Sequence, residues 1–475
     1  MLVGWLVLPA AGLKRNNMHR ASTFPFLQQQ RGELPRASTQ ALSLRRNLAW
    51  SLAGNGVYAA CQWMMLVVLA RIGSPETVGL FALALAVTAP VFLFSNLKLR
   101  SVQATDVRGE YAFGDYLGLR LITAPLALVV VVAITIVAGY SGPSRLIIVM
   151  LGFAKMFEAI SDVLYGLMQQ HERMDRIAAS LMIRGGVSLA VLAILVVLTG
   201  SLQWGAAGLA VTWALVLLVY DAPTAIRVLS QTSSSSSDSA KRAEGLTSLK
   251  PRWDAGTLWR LAWLTLPLGL VVMLGSLDTN VPRYFVEHYL GTHELGIFAA
   301  SAYFLVAGGI VVSGLAQSAT PRLARHYAAG DIAAFRSLLG KMMVSGAVLG
   351  VLGVLTAVVA GRHILAAVYG GEYAARSDIF VWLMVDAAVG YAYVFLGTAL
   401  SAMRRFRIQL PIHLLTVAVL LTTSPLLIDR YGAKGAAWAM LASGLIEASS
   451  YSIVILRRSR EAVGGSDEPS QRNTR

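Results

Sequence analysis

The residues of this chain best suited to chemistry stand where charge is costly to keep. Lys155, Glu158, Asp162, Tyr165 and Gln169 recur at steps of three or four, with Met156, Phe157, Ile160, Val163 and Leu164 between them. That spacing predicts a helix with five polar groups along one stripe. The surrounding run is apolar enough to cross a bilayer, where each charged side chain at the centre costs about 2.5 to 3.5 kcal/mol on insertion scales. Three ionisable groups on one face must therefore point into protein or water. Two uses fit the stripe: a one-turn Lys155–Glu158 ion pair that merely lets the helix insert, or the wet lining of a path for a polar substrate.

Other stretches repeat the signature, which favours the second use. Ser51, Asn55, Tyr58 and Gln62 share one helical face, Ser180, Arg184 and Ser188 another, and Ser443, Glu447, Ser450 and Tyr451 cluster near the end of the chain. Arg120, Arg260, Asp221, Asp278 and Asp386 add single charges to apolar segments. Depth separates them. Arg120 and Arg260 lie within about one helical turn of a segment end, close enough to snorkel into the headgroup layer. Arg184, Lys155 and Glu447 lie about two turns or more from either end and cannot escape that way.

Enzyme signatures are missing. No Gly-x4-Gly-Lys-Ser/Thr loop is present, which argues against direct ATP coupling. Gly54-Asn-Gly56-Val-Tyr-Ala59 matches a loose dinucleotide fingerprint, but it sits in a spanning segment with no strand before it. His171-Glu172 and His293-Glu294 lack the second histidine of a zinc helix. No metal or cofactor is therefore expected, and the chain is not expected to be an enzyme.

The elements that position these residues follow from composition. The chain is 56% apolar and only 14% charged, with a mean hydropathy of +0.61. A soluble chain of 475 residues needs more polar surface than that, so the expected class is all-α and polytopic in a membrane. The single cysteine, Cys61, excludes an intrachain disulfide. Leu2 to Leu13 is too short to span, and Met18 is a second possible start. Twelve segments are long enough to cross: 48–70, 77–97, 117–139, 146–168, 177–199, 205–226, 258–280, 295–317, 342–361, 378–402, 411–428 and 435–456. Residues 230–256, with the run Ser233 to Ser237, read as a flexible linker between two groups of six. The expected divisions are thus a disordered basic tail (1–43), an N-terminal lobe (44–229), the linker (230–256), a C-terminal lobe (257–458) and a second disordered tail (459–475).

Charge sets the orientation. With both termini in the cytoplasm, 29 of the 40 Lys and Arg fall in cytoplasmic loops and tails, 7 in outer loops and 4 inside segments. The outer seven include Arg71, Arg283 and Arg376. Such a bias fixes topology and removes nucleic acid as a reason for the net charge of +15. The halves also look duplicated. Gly79-Leu-Phe81-Ala82 matches Gly296-Ile-Phe298-Ala299, Gly205-Ala-Ala-Gly208 matches Gly432-Ala-Lys-Gly435, and Gly166, Arg173, Arg176 and Ile177 recur as Gly397, Arg404, Arg407 and Ile408. Six crossings per copy make the repeats parallel, an arrangement in which substrate sites lie between halves. Pro90, Pro125 and Pro267 mark expected kinks, and Gly346, Gly350 and Gly353 close helix packing.

Four stretches carry a resemblance: Arg45-Arg-Asn-Leu-Ala-Trp-Ser-Leu-Ala-Gly-Asn55, Glu76-Thr-Val-Gly-Leu-Phe-Ala82, Tyr165-Gly-Leu-Met-Gln-Gln-His-Glu-Arg-Met-Asp175 and Glu294-Leu-Gly-Ile-Phe-Ala299. From Leu44 to Arg458 the chain resembles polysaccharide-biosynthesis flippases of the Wzx type, within the multidrug/oligosaccharidyl-lipid/polysaccharide exporter superfamily. The resemblance implies two six-helix lobes around a central cavity in the bacterial inner membrane. It also implies a polyprenyl-diphosphate-linked oligosaccharide moved between leaflets by alternating access. A diphosphate needs cations where water is scarce, and Arg184, Lys155, Arg120 and Arg260 are the candidates. Glu158, Asp162 and Glu447 are candidates for coupling a driving ion, with Asn55, Tyr58, Gln62, Tyr165, Asp278 and Asp386 as polar lining. Expected partners are the lipid-linked substrate, membrane lipids, and polymerase and co-polymerase proteins, with the chain itself a monomer. Two rival readings are an ion-coupled exporter of small drugs, which shares the fold, and a membrane polymerase or ligase. The latter needs large outer loops, and no outer loop here exceeds about twenty residues.

Overall fold

A computed structural model describes residues 42–106, 109–231, 249–405 and 408–464. The expectations for the N-terminal tail up to residue 41, the Ser233–Ser237 run and the chain beyond residue 464 lie outside the described residues. Within them the fold is helical throughout. The elements are α1 (Leu44–Ile72), α2 (Pro75–Ser95), α3 (Leu99–Thr105), α4 (Phe113–Val137), α5 (Gly142–Gln170), α6 (Met174–Thr199) and α7 (Leu202–Val216). A π turn (Leu217–Asp221) leads into α8 (Ala222–Gln231), followed by α9 (Ala255–Ala328), α10 (Ile332–Val368), α11 (Gly371–Ala375), α12 (Ser377–Ala402), α13 (Gln409–Tyr431) and α14 (Ala433–Gly464).

Local chemistry places the ends. Pro75 opens α2 in the first turn, where a missing N–H is harmless. Asp254 caps α9 by accepting from Thr257 N at 2.9 Å, and Asp331 caps α10 by accepting from Ala334 N at 2.9 Å. Gly291, at φ 83°, breaks the 74 residues of α9 into two helices, a conformation that only glycine adopts cheaply.

Among the described residues ten helices are long and apolar enough to cross a membrane, α9 counted once. The chain is a multi-pass membrane protein. α5 is equally long, with 29 residues, yet falls outside the ten. Any stretch of it long enough to span contains at least three of Arg145, Lys155, Glu158 and Asp162. The polar stripe is thus carried on a helix that composition alone does not class as spanning.

Packing joins the N-terminal helices around α5, which touches α2, α4 and α7, while α1 lies on α6 and α6 on α7. Among the C-terminal helices α12 contacts α9, α10 and α14, and α13 packs on α9 and α14. α9 belongs to both groups. Its Leu258 and Leu261 are buried with Leu97, Leu99, Tyr116, Leu119 and Val163, and its Val281 with Leu420 and Ala439.

α2 runs along α9, and there the two copies of the repeated Gly-x-Phe-Ala motif meet. A methyl group on Gly79 would run into the Thr292 carbonyl, and one on Gly296 into the Pro75 carbonyl. Only glycine allows these backbones to approach so closely. The same end of the molecule is closed by further contacts between the groups. The Arg71 guanidinium donates to the carbonyls of Ala366, Ala367 and Val368 at the end of α10. Trp63 Nε1 donates to Tyr369 OH at 2.9 Å, and Tyr284 OH donates to the Ala86 carbonyl. At the other end of α1, Trp50, Leu52, Asn55 and Val57 are exposed. The contacts between the two groups close the seam at the end expected to face outward.

Candidate functional site

Within the N-terminal helices the polar stripes of α1, α5 and α6 converge with a residue from the π turn. Arg184 on α6 is completely buried, and its Nη2 donates to Asp221 Oδ2 at 3.0 Å, a carboxylate that is itself completely buried. Two hydroxyls complete the carboxylate's shell: Ser161 Oγ donates to Oδ2 at 2.6 Å and Ser180 Oγ to Oδ1 at 2.5 Å. Tyr165 OH lies 2.6 Å from Ser180 Oγ. The guanidinium stands over the rings of Trp213 and Tyr165, at 5.4 and 5.6 Å. Trp213 is held in turn by donating its Nε1 to Ser188 Oγ at 2.8 Å.

Lys155 stands over the same Trp213 ring at 5.2 Å and pairs with Glu158 at 2.8 Å. Tyr58 on α1 donates to the other oxygen of Glu158 at 3.3 Å. Of the two uses weighed for the stripe, the one-turn ion pair forms, and it forms within a wider network. One turn further on, Asp162 lies between Arg100 at 3.5 Å and Arg120 at 3.7 Å. Arg120 does not snorkel. It is fully buried and turns inward, Nη1 donating to Asn96 Oδ1 at 2.6 Å and Nη2 to the Asn96 carbonyl at 3.0 Å. Arg100 Nε donates to Gln169 Oε1 at 3.0 Å, which brings the last residue of the stripe into the same network.

The remaining candidates fall elsewhere. Arg260 is exposed, with its Nη2 on Thr257 Oγ1 at 3.2 Å, near the start of α9. Asn55 is exposed and bonds within its own helix, to the Ser51 carbonyl at 2.8 Å. Gln62 is half-buried one turn beyond Tyr58.

A second cluster lies among the C-terminal helices. His413 Nδ1 is 3.0 Å from Asp278 Oδ2 and 3.9 Å from Glu447 Oε1, while Thr416 Oγ1 donates to Asp278 Oδ1 at 2.8 Å. One ligand atom from each of Asp278, His413 and Glu447 lies within 4.8 Å of the others, a donor set of the kind that holds a small cation or shares a proton. Asp386 is buried nearby, beside Gly444, and forms no ion pair or hydrogen bond among the described residues.

Three members of these clusters had no role in the sequence reading. Asp221 was legible only as a lone charge, because the π turn that aims it at Arg184 leaves no mark in hydropathy. His413 is a single imidazole in an apolar span, and Arg100 reads as an ordinary loop cation.

The arrangement is two polar clusters inside a multi-pass bundle. A capsular polysaccharide biosynthesis protein, CapF, from Staphylococcus aureus is 29% identical over 406 residues, covering 86% of this chain and 98% of that protein. The solved lipid II flippase MurJ in an inward closed conformation superimposes with a TM-score of 0.69 at 10% identity, covering 89% of this chain and 94% of that one. A MATE multidrug transporter of the MOP superfamily in its inward-facing conformation gives 0.63 at 12% identity, covering 88% and 96%. These likenesses show the fold of that superfamily. The family model described as polysaccharide biosynthesis protein matches residues 44–327, more than half of the chain, and the chain belongs to that family.

Proposed function

We propose that this protein is a flippase of the bacterial inner membrane. It carries a polyprenyl-diphosphate-linked oligosaccharide from the inner to the outer leaflet for assembly of a capsule, exopolysaccharide or O-antigen. Two six-helix lobes move about the seam between α2 and α9 by alternating access. The observation that carries this reading is the charge balance inside the bundle. Among the N-terminal helices Lys155, Arg184, Arg100 and Arg120 face Glu158, Asp162 and Asp221, four cations against three carboxylates. The C-terminal cluster sets Asp278, Asp386 and Glu447 against His413. A membrane interior that keeps so many charges at such cost uses them, and the two signs suit an anionic headgroup on one side and a driving cation on the other.

The roles divide by exposure. Glu158 and Asp162 retain 19% and 27% of their side-chain surface, so Lys155 and Arg100 can exchange a carboxylate partner for a phosphate, while Arg120, fully buried on Asn96, holds Asp162 in place. Arg184 is fully buried on Asp221, and it acts by holding α6 against the π turn. The chain works as a monomer and passes its product to a polymerase and its co-polymerase.

The test is reconstitution of the purified protein into liposomes with a lipid-diphosphate oligosaccharide, followed by the rate at which the sugar becomes accessible from the opposite face. Transfer above protein-free vesicles is expected, with loss in Lys155→Ala. An acidic, tyrosine-flanked cluster also suits a cation exporter, so ethidium efflux is measured in parallel. Efflux without lipid transfer would replace the flippase reading.

A further inference from the structure

We infer that Arg283 is an anion-binding position in the seam between the two groups of helices, holding an acidic group of the headgroup close to the closed end. The inference rests on the flippase reading. By sequence Arg283 belonged to an outer loop. In the structure α9 continues through it, and Arg283 lies eight residues, about 12 Å of helix, before the break at Gly291. The next residue, Tyr284, reaches across the seam to the Ala86 carbonyl of α2, so Arg283 stands beside the junction where the halves meet.

What sets Arg283 apart is the absence of a counter-charge. Lys155 has Glu158, Arg184 has Asp221 and Arg120 has Asp162. Arg283 has no carboxylate within ion-pair distance among the described residues. Among the described residues its one hydrogen bond runs from Nη1 to Asn280 Oδ1 of its own helix, at 3.2 Å, and its buried Nε has no partner. The titratable groups around it are two phenols, Tyr284 and Tyr303. The Tyr303 hydroxyl makes no hydrogen bond among the described residues, whereas Tyr284 is committed to Ala86.

Keeping a guanidinium in such surroundings without an anion is unfavourable. A planar fork with free donors beside a phenol is also the chemistry that grips a carboxylate or a phosphate oxygen. An oligosaccharide diphosphate offers the second, and a uronic-acid-containing one offers both. The site lies toward the closed end of the seam, where a headgroup arrives before that end opens.

The experiment compares the full-length protein with Arg283→Gln and Arg283→Lys in lipid nanodiscs. Without ligand, Arg283→Gln is expected to unfold at the same temperature as the parent or above it, because no counter-charge is lost and glutamine can still donate to Asn280. A lower midpoint would make Arg283 structural and overturn the inference. Inorganic pyrophosphate is expected to raise the parent's midpoint, and Arg283→Gln to lose at least half of that shift while Arg283→Lys keeps most of it. An unchanged shift in Arg283→Gln overturns it. Liposome transfer then distinguishes the anion. A roughly tenfold slower transfer of both neutral and uronate-bearing substrates assigns the contact to the diphosphate, and slowing of the acidic substrate alone assigns it to the sugar carboxylate. If the parent transfers neither substrate while the pyrophosphate shift still depends on Arg283, the flippase reading falls and the anion site stands. Parental transfer rates for both substrates in Arg283→Gln would overturn the inference and leave the flippase reading intact.

Discussion

Replacing Arg184 by Ala should cost more stability than removing any other single cation of the bundle. The guanidinium and Asp221 are both wholly buried and 3.0 Å apart. Deleting one member of such a pair strands the other's charge, a loss of about 3–5 kcal/mol. Ser161 and Ser180 still donate to Asp221 and place the loss toward the lower end of that range. The vacated contacts with the Trp213 and Tyr165 rings push the other way. Asp221→Ala should be comparably damaging, since it leaves Arg184 with no carboxylate. The double variant Arg184→Met, Asp221→Leu replaces the pair by apolar groups of similar bulk, a change that is often neutral or stabilising. It should therefore regain most of the loss. The assay is denaturant unfolding in detergent micelles, read by tryptophan fluorescence, with Arg184→Met and Asp221→Leu as the single variants that close the mutant cycle. Single losses below about 1 kcal/mol, or losses that add within about 0.5 kcal/mol, would refute the argument, because contacting partners must couple more strongly than that. Transfer by the double variant at normal abundance would further show that Arg184 supports the path and does not touch the substrate.

Glu158→Gln takes the carboxylate from Lys155 and Tyr58; should Glu158 or Asp162 carry the driving ion in place of the C-terminal cluster, neutralising it leaves the protein in the membrane and abolishes gradient-driven transfer, and gradient dependence retained in a Glu158→Gln, Asp162→Asn variant would reduce both to structural partners. Asp278→Asn removes one ligand from the His413–Glu447 cluster and should flatten the dependence of transfer on the driving cation, measured across a titration of sodium and of proton gradient. Gly79→Ala, which in a free helix gains about 1 kcal/mol, should instead destabilise, because its methyl meets the Thr292 carbonyl; an unchanged or raised unfolding midpoint would contradict the close approach of α2 and α9. A reporter active only outside the cytoplasm, fused at Ser235, should stay silent, and activity there would reverse the assumed orientation.

Much of the fold was legible because the signals that produce it are local. The apolar runs at 48–70 and 378–402 fall inside α1 and α12, and the Lys155–Gln169 stripe is a single face of α5. What failed was the equation of membrane exit with helix end. Hydropathy drops at Arg283, Glu287 and His288, which placed Arg283 in a loop, but nothing there breaks a helix until Gly291 supplies a positive φ. Arg376 shows the same limit for a loop charge. Read as an outer-loop cation, it pairs with Glu294 at 2.6 Å and fixes the α11–α12 junction to α9. The site was readable as a set of costly residues and not as a set of pairs. Spacing tells which groups share a helix face, whereas Arg184 with Asp221, or Asp278 with His413, depends on which helices are neighbours.

The duplicated halves keep one feature and diverge in another, and the difference bears on mechanism. The repeated glycines at 79 and 296 are retained where the copies touch, since any side chain there would push backbone carbonyls apart. Away from the seam nothing constrains the two copies to carry the same side chains. One has acquired tryptophan-backed cations, the other carboxylates around an imidazole. α9 links them: its first turns are buried with N-terminal residues, and Asp278 and Arg283 stand further along the same helix. A change of occupancy at Asp278 therefore acts on the helix that carries Arg283, about one and a half turns away. If that link transmits coupling, cation binding should alter the affinity for pyrophosphate, and pyrophosphate should alter cation affinity by the same factor. Titrating each ligand in the presence of the other measures both factors. Unequal factors would exclude a simple equilibrium linkage, and two factors of one would leave the clusters independent despite their shared helix.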